Sequence, residues 1–135
     1  MSNGQQWREV RVGDTLTFSA PSGLEPTSAR GMDTDFGEWR GDDLLVRVDA
    51  GLFVDPLTRY GSQPNVRAFD ESIDGQRARI VTFDQPDGSR FTAAHFPDLQ
   101  NAAGGSKKLT FVVISSGDRS TDEAMRIVRS IRFRR

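Results

Sequence analysis

Apolar and polar residues alternate along most of this chain, in short blocks divided by glycine, proline and aspartate. Val10 and Val12 share one side of "WREVRV", and Leu16 and Phe18 share one side of "TLTFSAP". These blocks predict two strands around a tight turn at Gly13-Asp14. Pro21, Gly23 and Pro26 mark a loop. "FGEWR" predicts the next strand, and "RGDD" at 40–43 is the turn after it. In "LLVRVD", Leu44, Val46 and Val48 point inward while Arg47 and Asp49 point outward, the alternation of a half-buried strand.

Residues 51–65, "GLFVDPLTRYGSQPN", hold two prolines and two glycines and form the longest irregular segment, with a short helical turn expected after Asp55-Pro56. A meander follows: "VRAFDESI", "QRARIVTF" and "SRFTAAHF", joined at Asp74-Gly75 and Asp87-Gly88. In "KKLTFVVISS", Leu109, Phe111 and Val113 lie on one face and Val112 and Ile114 on the other. A strand apolar on both faces is covered on both faces, so this one is expected at the centre of the sheet.

A single helix stands out. Ser120 and Glu123 have the spacing of a capping box. Ala124, Ile127, Val128 and Ile131 then make one apolar stripe at i, i+3, i+4 and i+7. Asp122 and Arg126 are spaced for an i,i+4 ion pair. "SIRFRR" closes the chain as a short edge strand. The pattern is that of an α+β fold: a mainly antiparallel sheet with a C-terminal helix packed on one face. Without a repeat or a dividing linker, residues 1–135 read as a single domain.

Composition narrows the chemistry. The chain has no cysteine, so it has no disulfide, thiolate zinc site or cysteine nucleophile. Its longest strongly apolar run is "FVVI" at 111–114, far below the roughly 18 residues of a membrane span. The start, "MSNGQQWREV", lacks a basic segment followed by an apolar one. As it stands the sequence therefore reads as cytoplasmic; a periplasmic protein would need a leader ahead of it. A net charge of −1 and a pI near 5.8 argue against nucleic acid as a partner. Charge is uneven, with a basic end at Arg126, Arg129, Arg132, Arg134 and Arg135. Those arginines read as a solvated helix face and tail, partly paired to Asp122 and Glu123.

The order of pieces has a counterpart. "TFSAPSGLE", "GMDTDFGEW", "DAGLFVDPL", "ESIDGQRARI", "KKLTFVVI" and "DEAMRIVRSIRF" together resemble bacterial members of the PsbP/DcrB-like group. That fold is shared with the photosystem II extrinsic subunit and a small Ran-binding nuclear import factor. The helix running into Ser130–Phe133 carries the resemblance best. It implies a domain that binds other proteins, often in the cell envelope. It implies no shared catalytic residues, so none is carried over.

The acidic stretch "GMDTDFGEW" at 31–39 is the first candidate for chemistry. Asp33, Asp35 and Glu38 suggest calcium, but a calcium loop counted from Asp33 would need different residues at Gly37, Glu38 and Leu44. Asp35-Phe36-Gly37 matches a kinase triplet without the rest of a kinase. The plain reading has Asp33 capping a turn, Gly37 relieving a bend, and Phe36 or Trp39 in the core. Trp39 would be an interface anchor if exposed. His95, the single histidine, shares a face with Phe91 and Ala93, and no Gly-x-Ser-x-Gly elbow accompanies it. It reads as a structural histidine at the sheet rim. "GGSKK" at 104–108 has neither the spacing nor the following helix of a phosphate loop.

The reading that results is a non-enzymatic binding or accessory domain, with no cofactor or metal and a protein as partner. An immunity or inhibitor protein is a special case. The expected surface joins the 31–43 loop to the 51–65 segment through Asp33, Asp35, Phe36, Glu38, Trp39, Arg40, Phe53, Arg59 and Tyr60. The rival is a small-ligand binder or hydrolase-type enzyme with a pocket between helix and sheet, near His95 or the acidic loop.

Overall fold

The computed structural model describes residues 6–27, 37–51, 54–100 and 108–134. Val10 faces Phe18 and Val12 faces Leu16 across the first turn, where Gly13 takes a left-handed φ of 48°. This hairpin, β1 (Trp7–Val12) and β2 (Leu16–Pro21), puts all four side chains into the main core. A two-residue strand, β3 (Glu25–Pro26), lies where the sequence pattern marks only a loop. The chain continues through β4 (Gly37–Gly41), β5 (Leu44–Ala50), β6 (Arg67–Ile73), β7 (Gln76–Asp84), β8 (Arg90–Phe96) and β9 (Leu109–Ser115). It ends with α1 (Thr121–Arg129) and β10 (Arg132–Phe133).

Two sheets result. One has three strands in the order β1-β2-β10, and the other seven in the order β3-β4-β5-β9-β8-β7-β6, with every pairing antiparallel. This is the α+β meander that the alternation predicts, with β9 at its centre. One face of the large sheet carries Val46, Val48, Phe111, Val113, Ala94 and Ile80. It packs with the small sheet and α1 around Phe18 and Phe96. The stripe Ala124, Ile127, Val128 and Ile131 is fully buried there.

The helix ends are fastened locally. Ser120 Oγ accepts the Glu123 N–H at 3.1 Å, as the capping spacing predicts. Glu123 does not reach back to complete the box: its carboxylate pairs with Arg119 at 3.0 Å. Arg126 lies over the ring of Trp7 at 3.9 Å instead of pairing with Asp122. Cation and indole face each other there, which satisfies the charge without a carboxylate. Arg129 forks onto Glu71 of β6 at 2.7 and 3.0 Å, and Arg132 donates to the carbonyls of Arg129 and Ile131. These three arginines of the basic end are thus used within the fold.

The expected helical turn after Asp55-Pro56 is absent. Asp55 Oδ1 takes the Leu57 N–H at 2.8 Å, and Leu57 sits in the left-handed region at φ 59°. That local bond competes with helix formation. Leu57 then drops into a second cluster with Val81, Phe83, Phe91 and Ala93, joined by Tyr60, Val66, Val112 and Ile114. The irregular segment is therefore a cover for the other face of the sheet, which explains why β9 is apolar on both sides.

Candidate functional site

Strand register assembles a polar row on this second face. Asp70 of β6 lies opposite Arg79 of β7, Arg79 opposite His95 of β8, His95 opposite Thr110 of β9, and Thr110 opposite Asp49 of β5. The row borders the apolar cluster under Leu57 and Tyr60, and Asp55 of the covering segment reaches it at Thr110.

His95 is buried, at 6% exposure, and its Nδ1 lies 2.9 Å from Thr110 Oγ1. Thr110 donates its only hydroxyl proton to the carbonyl of Asp55 at 2.7 Å. The hydrogen between His95 and Thr110 must then come from the ring, which fixes the Nδ1–H tautomer. Nε2 remains as an acceptor. Burial, with help from the charge of Lys108, holds the imidazole below its ordinary pKa of 6.5, and Asp55 opposes this only in part. His95 is thus a neutral, oriented acceptor near neutral pH.

Beside it opens a cavity of about 790 Å³, with His95, Pro56, Pro97, Arg77, Arg79 and Lys108 among its walls. The proline rings and the aliphatic stems of the cations make the walls partly apolar. Asp70, Asp98, Gln76 and Gln100 add polar groups at the edges. Gln76 is locked by a reciprocal pair of bonds with the Gln100 backbone at 2.6 and 2.9 Å. Arg77 pairs with Asp70 at 2.9 Å, and Arg79 Nε donates to the Leu57 carbonyl at 3.0 Å. Arg79 thereby ties the groove wall to the strained covering segment.

The structure divides the residues expected to form one surface. Asp33, Asp35, Phe36 and Phe53 lie outside the described residues, as does the GGSK part of "GGSKK". Trp39 is buried, at 8% exposure, edge-on to Phe18 with ring centroids 5.4 Å apart. It belongs to the core on the helix side and is not an exposed anchor. Gly37 makes room for it: a methyl group on Gly37 would lie 2.8 Å from Trp39 Cζ3. Glu38 and Arg40 share the second face with Arg47 and Leu45. Glu38 is held by Arg47 at 2.9 Å, whose hydrogen bond is the main cause of its lowered pKa. Arg40 is exposed and lines a separate hollow of about 400 Å³ with Asp42 and Arg119.

Tyr60 and Arg59 stand near the groove. The Tyr60 hydroxyl donates to Asp55, and its ring stacks on Phe83 at 5.1 Å. Arg59 is 3.7 Å from Asp55 and 5.7 Å from the Tyr60 ring centre. They are separated from β4 by three strand spacings, roughly 14 Å. The groove itself, with Arg77, Arg79, Lys108 and Gln76, is not among the sequence candidates. Its signal was present in the parity of the meander, which puts Arg77, Arg79 and His95 on one face.

The rival pocket between helix and sheet does not coincide with this cavity. The groove is on the opposite face, and the helix stripe is fully packed. No metal-sized cluster of three His, Cys, Asp or Glu residues occurs among the described residues. No described helix is long and apolar enough to cross a membrane.

Comparison with known proteins adds the fold alone. No protein-family model matches the chain, and no curated protein matches it. A protein from Bacteroides thetaiotaomicron VPI-5482, with a crystal structure at 1.50 Å resolution, is similar in structure at a TM-score of 0.51 and 12% identity. The match covers 89% of this chain and 45% of that one, so the chain spans less than half the length of this neighbour.

Proposed function

We propose that this chain is a non-enzymatic binding domain that acts through a protein partner and receives a segment of that partner in the groove beside His95. The groove carries the reading. It joins partly apolar walls to three cations and to an acceptor, His95 Nε2, whose orientation is fixed from behind by Thr110 and Asp55. Cationic rims on an apolar slot suit a segment with an acidic side chain beside an apolar one. Leu57, strained at φ 59° and tied to Arg79, supports the same surface, because strained backbone gathers where binding loops are held in place. His95 here orients and accepts; its ring is braced by a threonine, with no carboxylate on Nδ1 to support proton transfer. The resemblance to the PsbP/DcrB-like group belongs to the same proposal, since that group acts by binding other proteins.

A small acidic ligand in the same groove is a second reading, favoured by the single fixed acceptor between apolar walls. The test is affinity capture from the source cell with wild type and an Arg77→Glu, Lys108→Glu variant shown to be folded. A partner retained by wild type and lost by the variant is the expected result. Equal retention by both would remove the groove from the account. Capture by neither, with small acids raising the Tm of wild type alone, would favour the second reading.

A further inference from the structure

β6 ends the large sheet, and among the described residues no strand lies beyond it. It is seven residues long, exposed over most of its length, and it carries Phe69. At 40%, Phe69 is the large apolar side chain left exposed among the described residues. The Asp74-Gly75 turn, with φ of 51° and 78°, is a two-residue hairpin in which Ile73 and Gln76 form the closing pair. In such a hairpin the closing pair exchanges hydrogen bonds. Parity then turns the backbone groups of Arg67, Phe69, Glu71 and Ile73 toward β7. Those of Ala68, Asp70 and Ser72 face the open edge. An edge of this length is a template for another strand unless its side chains forbid it.

The side chains permit one register. We propose that β6 pairs antiparallel with β6 of a second copy, about a two-fold axis through Phe69. Phe69 then meets Phe69 of the other copy in a non-hydrogen-bonded pair, where side chains are closest. Arg67, which makes no ion pair among the described residues, meets Glu71 of the other copy; Glu71 keeps Arg129 of its own chain. Ala68 and Asp70 exchange backbone hydrogen bonds across the axis. A shift by two residues one way sets Asp70 against Asp70, which like charges disfavour. A shift the other way sets Arg67 against Phe69 and leaves the Arg67–Glu71 pair unmade. The charges on this edge thus select a register and discourage the rest, as specific pairing requires. A single strand pair is a small interface, so its dissociation constant is expected on the order of micromolar.

The test uses the intact chain at about 100 µM, well above a micromolar dissociation constant. Sedimentation should give a dimer for wild type and a monomer for Phe69→Glu, with circular dichroism showing both folded. The chain has no cysteine, so single replacements report the register directly. In a non-hydrogen-bonded pair the Cα atoms lie about 4.5 Å apart, within disulfide reach. Phe69→Cys should therefore form a disulfide dimer on mild oxidation, and Ser72→Cys should not. A monomeric wild type without a Phe69→Cys crosslink would overturn the proposal. So would a dimer that Phe69→Glu leaves intact, since that dimer uses another surface.

Discussion

Thr110 has one hydroxyl proton and donates it to the Asp55 carbonyl, so the tautomer of His95 is decided by a neighbour that does not titrate. The folded pKa of His95 is depressed, chiefly by burial. Stability from this group is complete above the unfolded value of 6.5 and is lost as pH falls from there through the lower folded value. Urea midpoints measured between pH 8 and 5 should therefore fall below pH 6.5 in wild type, and His95→Gln should lose that component; an unchanged slope would contradict it. Gly37 gives a second residue-scale prediction. Gly37→Ala drives a methyl into the Trp39 indole and should cost about 1–3 kcal/mol in denaturant unfolding, whereas a neutral result would mean the indole moves freely. The burial of Trp39 was legible in the sequence as one of two readings. Its partner was not, because Phe18 is distant in the chain and only the fold brings the rings together.

Among the elements, periodicity carried most of the information. Alternation predicted the long strands, and the i, i+3, i+4, i+7 stripe predicted α1, because half-burial imposes those periods directly. The two-residue β3 lacks enough residues to show a period. The segment after Asp55 is irregular, as its prolines and glycines predict, but the short helical turn after Pro56 does not form, because proline after aspartate also suits the side-chain turn that Leu57 completes. Ser130 shows what a short motif can do. Its hydroxyl accepts the Ser19 N–H at 2.7 Å and donates to the Ile127 carbonyl at 2.6 Å, joining the helix end to β2. Ile131 and Phe133 follow into the core, with Phe133 edge-on to Phe96. Ser130→Ala strands the Ser19 N–H and should cost about 1–3 kcal/mol, while an exposed-site serine such as Ser72 should tolerate alanine within roughly 0.5 kcal/mol. Equal effects at the two positions in thermal unfolding would deny Ser130 this role.

For the whole molecule, the two faces of the large sheet have separate tasks. One holds the core with α1 and the small sheet, and the other is covered, among the described residues, by the segment that carries Leu57 and Tyr60. The division into two sheets was not legible, since it depends on β10 pairing with β2 from the far end of the chain. Nor was the groove, because a strand-by-strand reading fixes each face but not which residues lie side by side across strands. Parity did place Arg79 and His95 together once the register was known. The measurement that bears most directly on the groove is long-range proton–nitrogen NMR of histidine-labelled protein, recorded with and without the captured partner. The chain has one histidine, so the ring signals need no residue assignment, and their coupling pattern to the ring protons tells Nδ1 from Nε2. An Nδ1–H tautomer is expected in the free protein, with a displaced Nε2 resonance when the partner binds. An Nε2–H tautomer, or a bound partner that leaves both nitrogens unchanged, would contradict it.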